Sequence, residues 1–183
     1  MKDPKVTMSK FLSLVLRHQP QTIGVTLDRH GWIDIDTLIA AASAHGRKLT
    51  HELLLELVET SDKQRFAVSD DGLRVRANQG HSIHGIDLEL TPQVPPETLF
   101  HGTIAAVLPA IRREGLLKQA RHHVHLSASI ETAERVGARR GKPVILIVAA
   151  RAMHEAGIEF YRSANGVWLV DAVPPEYLRE NSK

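Results

Sequence analysis

The first half of the chain alternates between helix-like and strand-like patterns of apolar residues. Apolar positions from Met8 to Leu16 recur at the spacing of one helix face, and the pattern stops before Pro20. A proline steers the residue before it away from helical angles, so the helix is predicted to end near Arg17 and His18.

A short strand, two more helices and a hairpin are predicted to follow. Gly31-Trp32-Ile33 is typical of a strand, and Asp34 or Asp36 can cap the next helix. A further helix begins after Thr50 and turns leucines inward, and two strands flank the turn signature Asp70-Asp71-Gly72. This order of elements is that of a winged helix.

The boundary between two lobes is predicted at Thr91–Glu97, which contains three prolines and cannot continue a helix or a central strand. Residues 1–90 then form the winged-helix lobe, and residues 98–183 form a second lobe. The whole chain is predicted to be an α+β protein whose second lobe is mainly strand with short helices.

The second lobe is predicted to open with a strand at Leu99-Phe100-His101. Thr103 is expected to cap a helix from Ile104 to Glu114, and Gly115 is expected to end it. Pro109 conflicts with that helix because it lacks an N–H donor.

Three further segments of the second lobe carry clear signals. Val124 to Ser127 is typical of a strand, and Ser129 is expected to start a helix that runs to about Arg140. Pro143–Val148 is predicted to be a central strand and the most buried one. Asn165-Gly166 predicts a type I′ hairpin between the last long strands.

Composition excludes several classes of protein. Hydrophobic residues make up 43% of the 183 residues and charged residues 24%, which is typical of a globular protein. Cysteine is absent, so disulfides, thiolate catalysis and cysteine-bound metals are excluded. The longest apolar run, Val144 to Ala150, is too short for a membrane helix, and the N-terminus lacks a signal-peptide pattern, so a cytoplasmic location is expected.

Charge and histidine content direct attention to anionic ligands. The net charge is only +2, but residues 91–183 carry 12 Lys and Arg against 9 Asp and Glu. Histidine is frequent, with 11 residues, and it titrates near neutral pH.

Two basic positions in the first lobe could bind an anion. Arg17 and His18 lie at a predicted helix C-terminus, whose dipole favours a protonated imidazole. The same pair could equally be a solvated helix cap. Arg65 precedes the strand residues Phe66 and Val68 and faces away from the core, as an ordinary surface arginine would.

The densest histidine cluster is Arg121-His122-His123-Val124-His125-Leu126-Ser127. His123 and His125 share one strand face, while Val124 and Leu126 face the core. A zinc site, an anion or ribose site, and a polar strand end are all compatible with this pattern. No HExxH motif supplies further ligands, so no metal is predicted.

His101-Gly102-Thr103 could bind a nucleotide. A glycine permits close approach of a ligand, and a helix cap at Thr103 could hold a phosphate. Neither GxGxxG nor GxxxxGK[ST] is present, so a Rossmann fold and a P-loop are excluded.

Six ordered motifs together resemble the NAD-dependent RNA 2′-phosphotransferases, also called tRNA 2′-phosphotransferases. The motifs span about residues 9 to 178. They are Ser9-Lys10-Phe11-Leu12 to Leu16-Arg17-His18, Lys63-Gln64-Arg65-Phe66, Arg76-Ala77-Asn78-Gln79-Gly80-His81-Ser82, His101-Gly102-Thr103, His123-Val124-His125-Leu126-Ser127 and Asn165-Gly166-Val167-Trp168-Leu169.

The resemblance implies a winged-helix RNA lobe and an ADP-ribosyltransferase-like lobe that binds NAD⁺ as co-substrate, with a role in tRNA splicing. The implied substrate is RNA with an internal 2′-phosphate, which attacks C1″ of the nicotinamide ribose and expels nicotinamide. The ribose 2″-hydroxyl of the ADP-ribosylated RNA then attacks the phosphorus. The products are 2′-OH RNA and ADP-ribose 1″,2″-cyclic phosphate.

The resemblance also implies roles for individual residues. The implied catalytic set is Arg17, His18, Arg65 and Arg121, and we expect these four to surround one phosphate dianion. The implied NAD-binding residues are His101, Gly102, Thr103, His125 and Ser127. Many ADP-ribosyltransferases carry a glutamate where this chain has Gly166-Val167-Trp168, and an apolar residue there agrees with a phosphate acceptor.

Two other functions compete with this one. A winged-helix DNA-binding regulator would have a basic recognition helix, against which Glu52, Glu56 and Glu59 argue. An ADP-ribosyltransferase acting on protein or on nucleic-acid ends would use the same pocket with another acceptor. No obligate protein partner is expected, and the sequence leaves the oligomeric state open, with a monomer as one outcome.

Overall fold

Helices alternate with short antiparallel strands over residues 3–61 and 63–181, which are the residues that the computed structural model describes. The chain divides into two units, Met1–Glu89 and Leu90–Lys183. The mixture of helices and small antiparallel sheets is the predicted α+β class. Within the described ranges, no helix is both long and apolar enough to cross a bilayer.

The first unit combines three helices with a small sheet. Its elements are α1 (Pro4–Arg17), a 3₁₀ turn (Pro20–Ile23), β1 (Ile33–Asp34), α2 (Ile35–Ala44), α3 (His51–Glu59), β2 (Phe66–Val68) and β3 (Arg74–Ala77). The antiparallel sheet has the order β1-β3-β2. The predicted sequence of helix, strand, two helices and hairpin is therefore present.

Local capping explains where these helices begin. Asp34 Oδ1 accepts a hydrogen bond from the Thr37 N–H at 2.8 Å, so Asp34 and not Asp36 is the N-cap of α2. Thr50 Oγ1 accepts from the Leu53 N–H at 3.2 Å and caps α3, as predicted. The apolar faces of the three helices pack with the inner face of the sheet in one hydrophobic core.

The second unit is built from small sheets joined by short helices. Its elements are β4 (Leu99–Ile104), a 3₁₀ turn (Ala105–Val107), α4 (Leu108–Glu114), β5 (Leu116–Leu117), β6 (Val124–Leu126), α5 (Ile130–Gly137), β7 (Pro143–Val148), α6 (Ala150–Glu155), β8 (Phe160–Arg162), β9 (Trp168–Val170), β10 (Ala172–Val173), a 3₁₀ turn (Pro175–Tyr177) and β11 (Leu178–Glu180). The sheet orders are β11-β7-β4 and β6-β9-β8, and β5 pairs with β10.

The helix predicted to begin after Thr103 starts later than expected. Strand β4 continues through Ile104 because it pairs with β7 up to the register of Ile104 with Pro143. Thr103 lies in this strand and is not a helix cap, so that prediction was wrong. Helix α4 begins at Leu108, which puts Pro109 in its first turn, where a missing N–H breaks no intrahelical bond.

Three other expectations for this unit need correction. Strand β7 is central in its sheet, as predicted, but β9 is the more buried strand, since all of its residues are buried. Helix α5 ends at Gly137, before Arg140. The hairpin between β8 and β9 is not type I′, because Gly166 has a positive φ of +80° and Asn165 does not.

Gly102 allows α5 to pack directly on β4. A Cβ atom at this position would lie 1.8 Å from the Ala133 carbonyl oxygen. We expect Gly102→Ala to lower the free energy of unfolding by about 3 kcal/mol, measured by urea denaturation. Gly157→Ala is the control, because Gly157 has a φ of +93° and open space around it and should lose only about 1 kcal/mol. Equal losses in the two variants would contradict the packing argument.

Candidate functional site

Two basic side chains of the first unit lie where helix α1 ends. Arg17 is the last residue of α1, and His18 follows it as the C-cap, with its N–H donating to the Leu14 carbonyl at 3.0 Å. Both side chains are half-buried. The predicted position of this pair at a helix C-terminus is confirmed, and the helix dipole there favours positive charge.

The segment after β3 returns to this helix end. The Ser82 N–H donates to the Arg17 carbonyl at 2.8 Å, and Ser82 Oγ lies 2.9 Å from His18 Nδ1. The sequence motifs included Ser82 but indicated no role for it. The two contacts tie consecutive basic residues to a single serine.

Arg65 joins the same hydrogen-bonded network. Its carbonyl accepts from the Asn78 N–H at 2.9 Å and from Arg17 Nη2 at 3.5 Å. Its own guanidinium reaches α1, where Nη1 lies 3.5 Å from Ser9 Oγ. The first unit therefore brings Arg17, His18 and Arg65 together, although Arg65 is 48 residues from Arg17 in the chain. An arrangement of this kind suits an anionic ligand.

Histidines of the second unit meet where two sheets join. Phe100 of β4 and Ser127, just after β6, form an isolated antiparallel bridge with hydrogen bonds of 2.9 and 2.8 Å. Beside it, His101 Nδ1 donates to the His125 carbonyl at 3.0 Å. Arg121 Nη1 lies 3.0 Å from His125 Nδ1.

These contacts define the protons on both rings. A guanidinium can only donate, so His125 Nδ1 accepts and the His125 proton is on Nε2. Burial of the His101 ring lowers the pKa of His101. The hydrogen bond to the His125 carbonyl raises this pKa, and the positive charges of Arg140 and Arg121 lower it further. His101 is therefore neutral at pH 7, with an acceptor lone pair on Nε2.

The lowered pKa of His101 makes stability fall in acid. An unfolded histidine has a pKa near 6.5, so below that pH the unfolded chain binds a proton that the folded chain refuses. We expect wild-type protein to lose more stability than His101→Asn between pH 7 and pH 5, as measured by urea denaturation at each pH. Parallel losses would show that His101 does not contribute.

Three arginines form a basic region around these histidines. Desolvation lowers the pKa of Arg121, and repulsion from Arg140 and Arg139 lowers it further. Its guanidinium stays protonated at neutral pH because the ordinary pKa of arginine lies far above 7. Charges that repel one another favour the binding of an anion that neutralises them.

The structure does not support the two physical reasons for which Gly102 and Thr103 were predicted to bind a nucleotide, namely close approach at the glycine and a helix cap at the threonine. The side-chain direction of Gly102 faces α5, so the close approach is made by a protein helix. Thr103 is buried within β4 and exposes no helix N-terminus to a phosphate. Both stay predictions for NAD binding on the resemblance alone, as does Ser127, which forms the bridge with Phe100.

The face opposite the core carries an aromatic contact that the sequence did not indicate. Val124 and Leu126 are buried while His123 and His125 are half-buried, as the alternation predicts. The His123 ring packs on Tyr161 with 5.6 Å between the centroids. Desolvation lowers the pKa of His123, and the nearby His122 and Lys118 lower it further, whereas Asp171 raises it.

Over the described ranges, no three His, Asp or Glu side chains are arranged to hold a metal.

Arginine and histidine side chains cluster in each of the two units, and side chains of these types suit phosphate-bearing ligands. Residues 3–172 match the family model described as RNA 2′-phosphotransferase, Tpt1/KptA family. The chain belongs to this family of RNA 2′-phosphotransferases.

Curated relatives are similar over nearly their whole length. A probable RNA 2′-phosphotransferase of Rhodopirellula baltica is 62% identical over 173 residues, which is 94% of each chain. One of Streptomyces griseus is 54% identical over 180 residues, with 94% of this chain and 95% of the relative covered. One of Pectobacterium atrosepticum is 46% identical over 180 residues, with 98% and 100% covered.

Proposed function

We propose that this enzyme transfers an internal RNA 2′-phosphate to NAD⁺ in two steps. A phosphate oxygen bonds to C1″ of the nicotinamide ribose as the bond to nicotinamide breaks. The ribose 2″-hydroxyl then attacks the phosphorus, and the RNA 2′-oxygen leaves with a proton. The products are nicotinamide, 2′-OH RNA and ADP-ribose 1″,2″-cyclic phosphate.

The observation that carries the proposal is the hydrogen-bonded group of Arg17, His18 and Arg65 in a chain of this family. A 2′-phosphate is already a dianion at neutral pH, so the first step requires orientation and charge neutralisation more than a general base. Two guanidiniums and an imidazole that can be protonated provide both. In the proposal Arg121 supplies the fourth positive charge, a role that rests on the family resemblance.

The second step places different demands on the same group. Negative charge concentrates on the phosphoryl oxygens, and bidentate arginines stabilise such charge. The departing RNA 2′-oxygen needs a proton, for which His18 is the proposed donor. A protonated His18 has an N–H on each ring nitrogen, and Ser82 contacts it at Nδ1.

The residues of the second unit fit NAD⁺ as a co-substrate. The His101 Nε2 acceptor and the His125 Nε2–H donor are complementary to ribose hydroxyls. Arg121, Arg139 and Arg140 offer positive charge to a pyrophosphate. When bound, NAD⁺ supplies an electrophilic ribose carbon and a neutral leaving group.

The finer description of the fold belongs to the same proposal. The helix and strand order of the first unit and its β1-β3-β2 sheet support a winged-helix RNA lobe. The paired small sheets of the second unit support an ADP-ribosyltransferase-like lobe. The role in tRNA splicing and the cytoplasmic location stay predictions.

The DNA-regulator alternative lacks a basic recognition helix. Glu52 and Glu59 of α3 are exposed, and Glu56 pairs with Lys5. Carboxylates on that face would repel a DNA backbone. An ADP-ribosyltransferase that modifies a neutral protein side chain would need no cations at the acceptor. The cluster of basic side chains therefore favours a phosphate acceptor.

Incubation with NAD⁺ and a short RNA bearing one internal 2′-phosphate tests the proposed function. We expect stoichiometric loss of the 2′-phosphate and of NAD⁺, with ADP-ribose 1″,2″-cyclic phosphate as the product. The matched controls are the same RNA with a 2′-hydroxyl and a mixture without NAD⁺. Labelling of a protein acceptor with no loss of the 2′-phosphate would overturn the proposal and favour the protein-modifying alternative.

A further inference from the structure

Ser82 contacts the two consecutive residues that the proposed function places at the reacting phosphate. Its N–H donates to the Arg17 carbonyl at 2.8 Å, and its hydroxyl lies 2.9 Å from His18 Nδ1. Ser82 is half-buried and lies in the segment that follows β3. Its two polar groups thus serve different neighbours.

The backbone contact fixes the end of α1. The last four carbonyls of a helix have no partner within the helix, and the Ser82 N–H satisfies the one at Arg17. This bond depends on the main chain and survives any change of the Ser82 side chain. Substitutions at Ser82 therefore isolate the hydroxyl from the helix end.

The side-chain contact holds the His18 ring by its Nδ1 edge. A hydroxyl can both donate and accept, so Ser82 can hold Nδ1 whether or not that nitrogen carries a proton. In the protonated ring, Nδ1–H donates to Ser82 Oγ. A carboxylate in the same place would favour the imidazolium and oppose release of the proton.

We propose that Ser82 is a positioning residue for His18, which keeps the Nδ1 edge of the ring bonded and aims Nε2 at the departing RNA 2′-oxygen. In the second step the ribose 2″-oxygen bonds to phosphorus and its hydroxyl proton goes to water. The Nε2–H bond of His18 breaks, and an O–H bond forms on the RNA 2′-oxygen as the bond from that oxygen to phosphorus breaks. The neutral ring keeps its Nδ1 proton, bonded to Ser82. This inference rests on the proposed function.

Single-turnover kinetics with NAD⁺ and the 2′-phosphorylated RNA test the role. We expect Ser82→Ala to slow the decay of the ADP-ribosylated RNA about tenfold, with the KM for RNA changed less than twofold. Ser82→Thr keeps a hydroxyl and should recover most of the rate. Ser43→Ala, which removes an exposed hydroxyl from α2, should behave as wild type.

A second readout does not depend on turnover. In ¹⁵N-histidine spectra, the ring signals that vanish in His18→Asn should shift in Ser82→Ala and return in Ser82→Thr. Ser82→Cys repeats both measurements if Ser82→Ala does not fold. Wild-type decay and unshifted His18 signals in Ser82→Ala would overturn the role of Ser82 alone. A wild-type protein inactive on this RNA would overturn the proposed function as well.

Discussion

Arg65→Ala is expected to lower kcat/KM for 2′-phosphorylated RNA about a thousandfold. The Arg65 guanidinium reaches α1 at Ser9, and the Arg65 carbonyl accepts a hydrogen bond from Arg17 Nη2. Its loss removes a charge-assisted, bidentate donor from a phosphate whose charge concentrates during the second step. Steady-state kinetics at fixed saturating NAD⁺ measures the effect.

The design of this substitution separates chemistry from folding. The Arg65 carbonyl, which accepts from Asn78 and Arg17, belongs to the main chain and is unchanged by Arg65→Ala. Stability should therefore fall by less than about 1 kcal/mol, as for an ordinary surface substitution. Arg29→Ala, at an exposed arginine of the same unit, is the matched control and should retain full activity.

Arg65→Lys shows what the guanidinium adds beyond its charge. Lysine is a point charge and cannot form a bidentate pair with a phosphate. We expect it to recover at most about a tenth of the wild-type kcat/KM. Activity of Arg65→Ala close to that of Arg29→Ala would contradict the role proposed for Arg65 and would favour the reading of it as a surface arginine.

The elements that the sequence predicted well are those governed by neighbouring residues. The end of α1 follows from Pro20, and the caps of α2 and α3 are hydrogen bonds over three residues from Asp34 and Thr50. Such interactions are encoded within one turn of chain. Apolar spacing then identified the buried faces without any tertiary information.

The errors arose where pairing between distant strands decides the outcome. Residues 104–114 have helix-forming composition, and Thr103 is a plausible cap, but pairing with β7 extends β4 through Ile104. Gly102 shows the same limit. The sequence predicted that this glycine permits close approach of a ligand, but helix α5 occupies the space beside it. Local patterns contain no information about a strand partner such as Pro143, which pairs with Ile104 from 39 residues away in the chain.

The candidate site contains residues that local signals could locate and residues that only long-range contacts bring to it. Arg17 and His18 could be located from local signals, whereas their connection to Arg65 and Ser82 spans 48 and 64 residues. Only the family resemblance grouped Arg65 with them before the structure was known. Nothing in the local sequence around Ser82 indicates a contact with His18, because a lone serine after a strand is a common loop residue.

His18→Ala is expected to separate the two steps of the reaction. The attacking phosphate needs no general base, so formation of ADP-ribosylated RNA should slow by less than about tenfold. Decay of that intermediate requires a proton on the departing 2′-oxygen and should slow by about 10² to 10⁴ fold. The intermediate should therefore accumulate, and a quenched time course resolved on a denaturing gel will show it as a separate RNA band.

Controls for this experiment use the other histidines of the chain. His51→Ala, at an exposed position of α3, should leave both steps unchanged. His18→Asn tests whether a polar side chain of similar reach substitutes for the imidazole; it cannot supply an acidic proton, so the intermediate should accumulate here too. If the intermediate decays at the wild-type rate in both His18 variants, the proton comes from another group. His18 would then act with Arg17 and Arg65 through charge alone, and slow formation of the intermediate would be the visible defect.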